Sequence, residues 1–383
     1  MTGPKTTVRR RPKDRKDQIL EAARTLIVAQ GYRNVSMAQI ADEVGITASA
    51  LYRHFSNKAV LLDAVIGASF DEVTPTFDPD KSLASTLAET CELVVTRRDV
   101  GALWWREGRN LPEDMWEELR ERLRRINGRF ADLIRIERPA LSAAAAEQLA
   151  WGVQSILAST STHSSKIARP EFAALLTGAC VALCATDLGP PREQAARRPS
   201  PLAPVSKREA LLGHAIRLFS ERGYDATGLD DIGTAAGVTG PNLYSYFAGK
   251  ADLLEAAIER GTSALWLLLH SVLRANDDPA RALADLTHGY VQLALDRTIL
   301  TSLLQTEQAT LSDVTRARQR EYVAEWTALL RSARPELDEV PARILVHTAL
   351  GVVNTVARIE HLQADAALPD DLAAMATAVL FAD

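Results

Sequence analysis

The chain of 383 residues is long for one domain and comfortable for two, each able to bury its own core. Its apolar fraction of 47% and charged fraction of 24% exclude wholesale disorder, and the longest apolar stretches, such as ALWLLL from Ala264, fall far short of a membrane span. The net charge of −5 excludes a protein that coats nucleic acid by charge alone, yet residues 1–16 carry seven basic side chains against Asp14, a net of +6 that leaves the remainder at −11. Cys91, Cys180 and Cys184 give an odd count without metal-ligand spacing, as expected of a cytoplasmic protein with no metal and no cofactor.

Residues 1–14 form a basic arm, with Arg9, Arg10 and Arg11 at its centre and DNA as the expected partner. From 15 to 62 the pattern is helical. DQILEAARTLIVAQG puts Ile19, Leu20, Ala23, Leu26 and Ile27 on one face and stops at Gly31. SMAQIADEVGITASALYRHF then predicts a short helix from Ser36 to Glu43, a tight turn at Val44-Gly45-Ile46 and a second short helix from Thr47 to Phe55, the spacing of a helix-turn-helix. Ile40, Val44, Ile46, Leu51 and Phe55 are expected inward, with Thr47 as N-cap. By elimination Ala48, Ser49, Ala50 and Arg53 face outward, where the first turn of such a helix enters a major groove. Tyr52, His54 and Lys58 stand at the rim, and with the helix start near Asn57 and Lys58 they suit phosphates.

The stretch 63–186 reads as a helical body, with helices predicted over 82–97, 101–108, 112–137, 142–161 and 169–186. Trp104, Trp105, Trp151 and His163 are polar-aromatic residues on apolar helices, candidates for lining a ligand cavity or for ordinary core. Residues 187–206, DLGPPREQAARRPSPLAPVS, hold five prolines and form a linker. At about 3.1 Å per residue it reaches up to about 60 Å.

The text then begins again. KREALLGHAIRLFSERGY, from Lys207, lies 192 residues after RKDQILEAARTLIVAQGY, matching Gly31-Tyr32 with Gly223-Tyr224. Within 207–254, LDDIGTAAGVTGPNLYSYFAGK repeats the motif, with Thr239 as cap, Leu243 and Phe247 inward, and Tyr244 and Lys250 at the rim. The outward face differs: Gly240, Pro241, Asn242, Ser245 and Tyr246. Asn242 suits a bidentate contact with adenine, whereas Arg53 suits guanine or a phosphate. In the second body, 255–383, ERPAL (from Glu137) recurs as ARPEL (from Ala333), and His288, Tyr290, Trp326, His347 and Asn354 are the cavity candidates. The chain is a tandem duplication.

IADEVGITASALYRHFSNKAVLL resembles the DNA-binding domain of the TetR family of bacterial transcriptional regulators, and IGTAAGVTGPNLYSYFAGKADLL is a second instance. The resemblance implies an all-α fold of two tandem repeats, each with three DNA-binding helices and a helical body that binds ligand. It implies dimerisation through the last helices, here 142–186 and 338–382, where Ala144, Gly152, Ser155, Gly351 and Thr355 suit close packing. DNA-contact positions carry over onto Thr47, Ser49, Tyr52, His54 and Lys58, and onto Thr239, Asn242, Tyr244, Tyr246 and Lys250. Gly233 departs from the family's usual alanine. The doubled arrangement with its RRRPKDRK leader is similar to a doubled member of the family known from an actinobacterial mammalian-cell-entry operon, which implies a lipidic effector.

The expectation is a regulator, by default a repressor released by a small molecule, that reads a non-palindromic double-stranded DNA operator with two different motifs. It is an intrachain pseudo-dimer, a monomer or a homodimer. The other reading makes the second repeat a dimerisation half only, with the first acting in a conventional dimer. No phosphate loop, zinc signature or nucleophile elbow calls for an enzyme.

Overall fold

The computed structural model describes residues 13–73, 77–78, 80–98, 101, 103–161, 167–190, 192, 204–224, 226–238, 240–296 and 312–383. Arg9, Arg10, Arg11, His163 and Thr239 lie outside the described residues, as do the side chains of Trp105 and Pro241. The first repeat runs α1 (Lys13–Gln30), α2 (Met37–Glu43), α3 (Ala48–His54), α4 (Lys58–Val73), α5 (Leu83–Thr96), α6 (Glu113–Glu137), α7 (Ala143–Ser159) and α8 (Arg169–Cys184). The second runs α9 (Lys207–Arg222), α10 (Leu229–Ala235), α11 (Gly240–Leu243), α12 (Lys250–Ala275), α13 (Pro279–Asp296), α14 (Asp313–Ala333), α15 (Glu339–Val356) and α16 (Leu368–Leu380). Among the described residues no helix is long and apolar enough to cross a membrane.

Ile19, Ala23 and Ile27, fully buried and four apart, form the stripe by which α1 packs on α2 and α4. The helix ends where the chain turns left-handed: Gly31 has φ 83°, its amide bonded to Ile27 O at 2.8 Å. Gly223 repeats this after α9, with φ 81° and a 2.9 Å bond to Phe219 O.

The segment expected as a helix over 101–108 is instead one π-helical turn, Leu103–Glu107, followed by a 3-10 turn, Gly108–Asn110. Packing sets this departure. A Cβ on Gly108 would lie 2.3 Å from the Trp116 ring, and Trp104 is wedged between Phe70 and Trp116, with ring centroids 5.4 and 4.6 Å away.

Helices α7 and α8 of the first repeat pack against α15 and α16 of the second. A four-helix joint therefore forms within one chain. Gly152 admits Met375 and Leu183, Gly351 faces Ser159, and Ser155 and Thr355 are buried. Ala144, expected here, is exposed. Polar groups cross the joint in register: Ser159 and Thr348 hydroxyls lie 3.2 Å apart, and Gln148 Nε2 points at Met375 Sδ, 3.6 Å away. The start of the linker is held on the second repeat, with Gly189 N donating to Asp371 at 2.9 Å and Ala366 N to Arg192 O at 2.9 Å.

The repeated ERPAL and ARPEL segments have matching structural roles. Arg138 donates to Cys184 O and Thr186 O, at 2.6 and 2.8 Å, satisfying carbonyls at the end of α8. Arg334 does the same for Leu380 O and Ala382 O at the end of α16. Each arginine ties the turn before its penultimate helix to the end of the last one.

Candidate nucleic-acid interface

In the first copy, the reading pair is fixed by its caps. Ser36 Oγ accepts from Gln39 N at 3.2 Å while Gln39 Oε1 accepts from Ser36 N at 2.7 Å, a reciprocal box that starts α2. Gly45, at φ 68°, makes the turn, and Ile46 N bonds back to Ala41 O at 2.9 Å. Thr47 Oγ1 then accepts from Ala50 N at 3.2 Å and starts α3. Leu51 and Phe55 are buried, whereas Ala48, Ser49, Tyr52, Arg53 and His54 are exposed on one outer surface.

Lys58 does not stand free at the rim as expected. It is half-buried, with Nζ 4.1 Å from the centre of the Tyr32 ring, and desolvation lowers its pKa while the Glu107 charge opposes that. The start of α4 is also occupied, because Asn57 Oδ1 accepts from Val60 N at 2.9 Å. Glu107, buried on the π-helical turn of the body, accepts from Tyr32 N at 3.0 Å and from Asn110 Nδ2 at 3.2 Å. Arg33 Nε in turn reaches Asn110 Oδ1 at 3.2 Å. A chain of contacts thus runs from the body to the loop after α1 and on to Lys58. Sequence reasoning missed Tyr32 and Glu107; the recurrence of Gly-Tyr at positions 192 apart was the signal for the tyrosine.

The second copy repeats the frame with a shorter reader. Gly237, at φ 64°, makes the turn, and Val238 N bonds to Gly233 O at 2.8 Å. Gly233 allows that approach, since a Cβ there would lie 2.8 Å from Val238 O. Helix α11 spans four residues, so Tyr244, Ser245 and Tyr246 sit in the turn that follows it. Ser245, also exposed, donates Oγ to Asn242 O at 2.7 Å, so this candidate reading hydroxyl is engaged by its own backbone. Asn242, Tyr244 and Tyr246 remain exposed above buried Leu243 and Phe247. Lys250 again differs from the expectation: Nζ donates to Tyr224 O at 2.8 Å and lies 4.2 Å from the Tyr224 ring centre.

Of the cavity candidates, Trp104 and Trp151 are buried in the first body. In the second, Tyr290 donates to Asn354 Oδ1 at 3.0 Å and meets Trp326 edge-on with ring centroids 5.9 Å apart. Burial pushes the Tyr290 phenol up to about 12 and His347, half-buried on α15, down to about 4. His288 is exposed and does not join them. It lies on the outer face of α13, whose inner stripe is Leu283, Leu286, Tyr290 and Val291.

Residues 19–65 and 211–257 each match the family profile of bacterial regulatory proteins, tetR family. The HTH-type transcriptional repressor KstR2 of Mycolicibacterium smegmatis is 27% identical over 150 residues, covering 36% of this chain and 73% of that protein. The HTH-type transcriptional activator FasR of the same organism is 37% identical over 82 residues, covering 21% of this chain and 37% of that protein. Among solved structures, a TetR-family transcriptional regulator from Bordetella parapertussis 12822 aligns with a TM-score of 0.42 and 20% identity, over 46% of this chain and 95% of that one.

Proposed function

We propose, from the premise that this chain carries two tandem DNA-binding domains of the tetR family, that it is a transcriptional regulator whose two unlike motifs read the two unlike halves of one non-palindromic operator. The observation that carries this is the four-helix joint, in which α7 and α8 find their partners α15 and α16 in the same chain. A homodimer presents two identical readers and requires an inverted repeat. One chain with Ser49, Tyr52, Arg53 and His54 on one reader and Asn242, Tyr244 and Tyr246 on the other has no such requirement. It represses where its operator overlaps a promoter.

Release by a small effector belongs to the same proposal. The buried Tyr290, Asn354 and Trp326 cluster of the second body combines an apolar wall with fixed polar groups, as a site for a partly apolar molecule needs. The lipidic character of that molecule rests on the family resemblance.

A specific observation favours a second reading. With α11 only four residues long, the second copy offers little helix to a groove, and on this reading it is kept as a joining half alone. Nuclease footprinting on a fragment selected by the full chain, with the mass of the complex measured, separates the two. The proposal expects two unlike protected halves per chain, and loss of protection over one half when Asn242→Ala and Tyr244→Ala are combined. A perfect inverted repeat bound by two chains overturns it, and full protection by the double variant leaves the second copy as a joining half.

A further inference from the structure

Each copy carries one more cation beside its reading pair, outside the helix-turn-helix itself. Lys16, near the start of α1, holds Nζ 5.8 Å from the centre of the Phe55 ring. Arg208, in the first turn of α9, holds its guanidinium carbon 4.6 Å from the centre of the Phe247 ring. The two cations are separated by the same 192 positions as the two rings. Phe55 and Phe247 are 2% and 1% exposed, so each is an immobile platform, while Lys16 and Arg208 are exposed.

Among the described residues neither cation has a carboxylate partner. Glu209, the neighbour of Arg208, is already engaged by Arg260. The body arginines are treated differently: Arg122 pairs with Asp71, Arg124 with Glu117, and Arg343 with Glu339. A cation aimed by a ring rather than neutralised by an acid keeps its full charge for a polyanion. Its location suits one, because each phenylalanine follows the last turn of the reader, next to the exposed His54 and Tyr246. Groups that flank a reader seated in a groove meet the sugar-phosphate wall. In the sequence of the first copy, the basic arm that holds Arg9, Arg10 and Arg11 precedes Lys16.

We propose that Lys16 and Arg208 are operator phosphate contacts, each aimed by the phenylalanine beneath it. The proposal rests on the reading that both copies meet DNA. Binding of the full chain to its selected fragment, and to a mixed-sequence duplex of equal length, is measured from about 50 to about 200 mM KCl. Lys16→Met and Arg208→Met keep an apolar stem on the ring and remove the charge. Each is expected to reduce the slope of log K against log salt by about 0.9, the value of one B-DNA phosphate, and to weaken both duplexes by the same factor. Lys16→Arg and Arg208→Lys restore the slope. Thermal melting of each variant accompanies the titration, because a role confined to packing lowers the melting temperature and leaves the slope alone. A slope unmoved in either variant overturns the contact at that residue. A loss confined to the selected fragment overturns it too, since it marks base reading. A wild-type chain that binds neither duplex removes the reading on which the proposal rests, an outcome distinct from an unmoved slope.

Discussion

Glu107 is 4% exposed and carries a carboxylate to the junction between body and reading domain, where it accepts from Tyr32 N and Asn110 Nδ2. Nothing in its local sequence, WWREGRN, announces the role, because the pairing joins residues 75 positions apart. Tyr32 and Tyr224 were legible only as repeated letters. Their use as platforms for Lys58 and Lys250 follows from the fold, which brings the start of the fourth helix over the loop after the first. A lysine three residues beyond the motif's phenylalanine thus looks like a phosphate ligand in sequence and is engaged by a tyrosine of its own domain. His347 was legible only as a polar residue on an apolar helix, and its burial has a measurable consequence. Burial pushes it down to about 4, with the Arg343 charge adding to the push. In the unfolded chain it titrates near 6.5, so above that pH both states are neutral at this site. Between about 6.5 and about 4 the unfolded chain takes up a proton that the fold refuses, and stability falls as pH drops through that window, by about 3 kcal/mol in full. Urea unfolding at about pH 7.5 and about pH 5 is expected to show about 2 kcal/mol of this loss in the wild type and a smaller loss in His347→Leu. An equal loss in both would place the acid sensitivity elsewhere.

At the scale of elements, the shared letters of the two motifs were reliable for what they bury. Leu51 and Leu243, Phe55 and Phe247 are all buried, and both turns use a left-handed glycine. Helix length was not legible, because it depends on caps and on the residues between them. The first reader has seven residues behind a threonine cap, whereas Gly240, Pro241 and Asn242 are weak helix formers and α11 ends at Leu243. The π-helical turn at Leu103–Glu107 escaped for another reason: it answers to Trp116 and Phe70, which lie on two other helices. The cap is the testable part. Thr47→Ala removes the oxygen that receives Ala50 N and should cost about 1 kcal/mol of domain stability. Fraying of α3 then lowers operator affinity, read by titration alongside chemical denaturation. Thr47→Ser, which keeps the acceptor, should stay close to wild type in both. A threonine that mattered only as a base contact would instead show lost affinity with unchanged stability.

On the scale of the whole molecule, the two copies are not built into it alike. Among the described residues, the apolar core of the first reading domain, from Ile19 to Ile66, is continuous with both bodies and the joint. The core of the second, from Leu211 to Ile258, forms a cluster of its own. Sequence periodicity could not show this, since both copies carry the same apolar stripe and differ only in what reaches them from outside. Opening of the second domain therefore exposes one small core and leaves the joint intact, whereas opening of the first disturbs packing shared with α7 and α15. Regions with few contacts to the rest open at lower free energy. Native-state hydrogen exchange is expected to show α9 and α10 exchanging at lower free energy than α1 and α2, with α7 and α15 the most protected. Phe247→Ala, which deletes a ring 1% exposed at about 3–5 kcal/mol, should abolish protection in α9 and α10 while α7 and α15 keep theirs. Phe55→Ala, at the matching site, should lower protection beyond its own domain. Equal protection of the two reading domains in the wild type, or loss at the joint in Phe247→Ala, would show that the second domain is welded as firmly as the first.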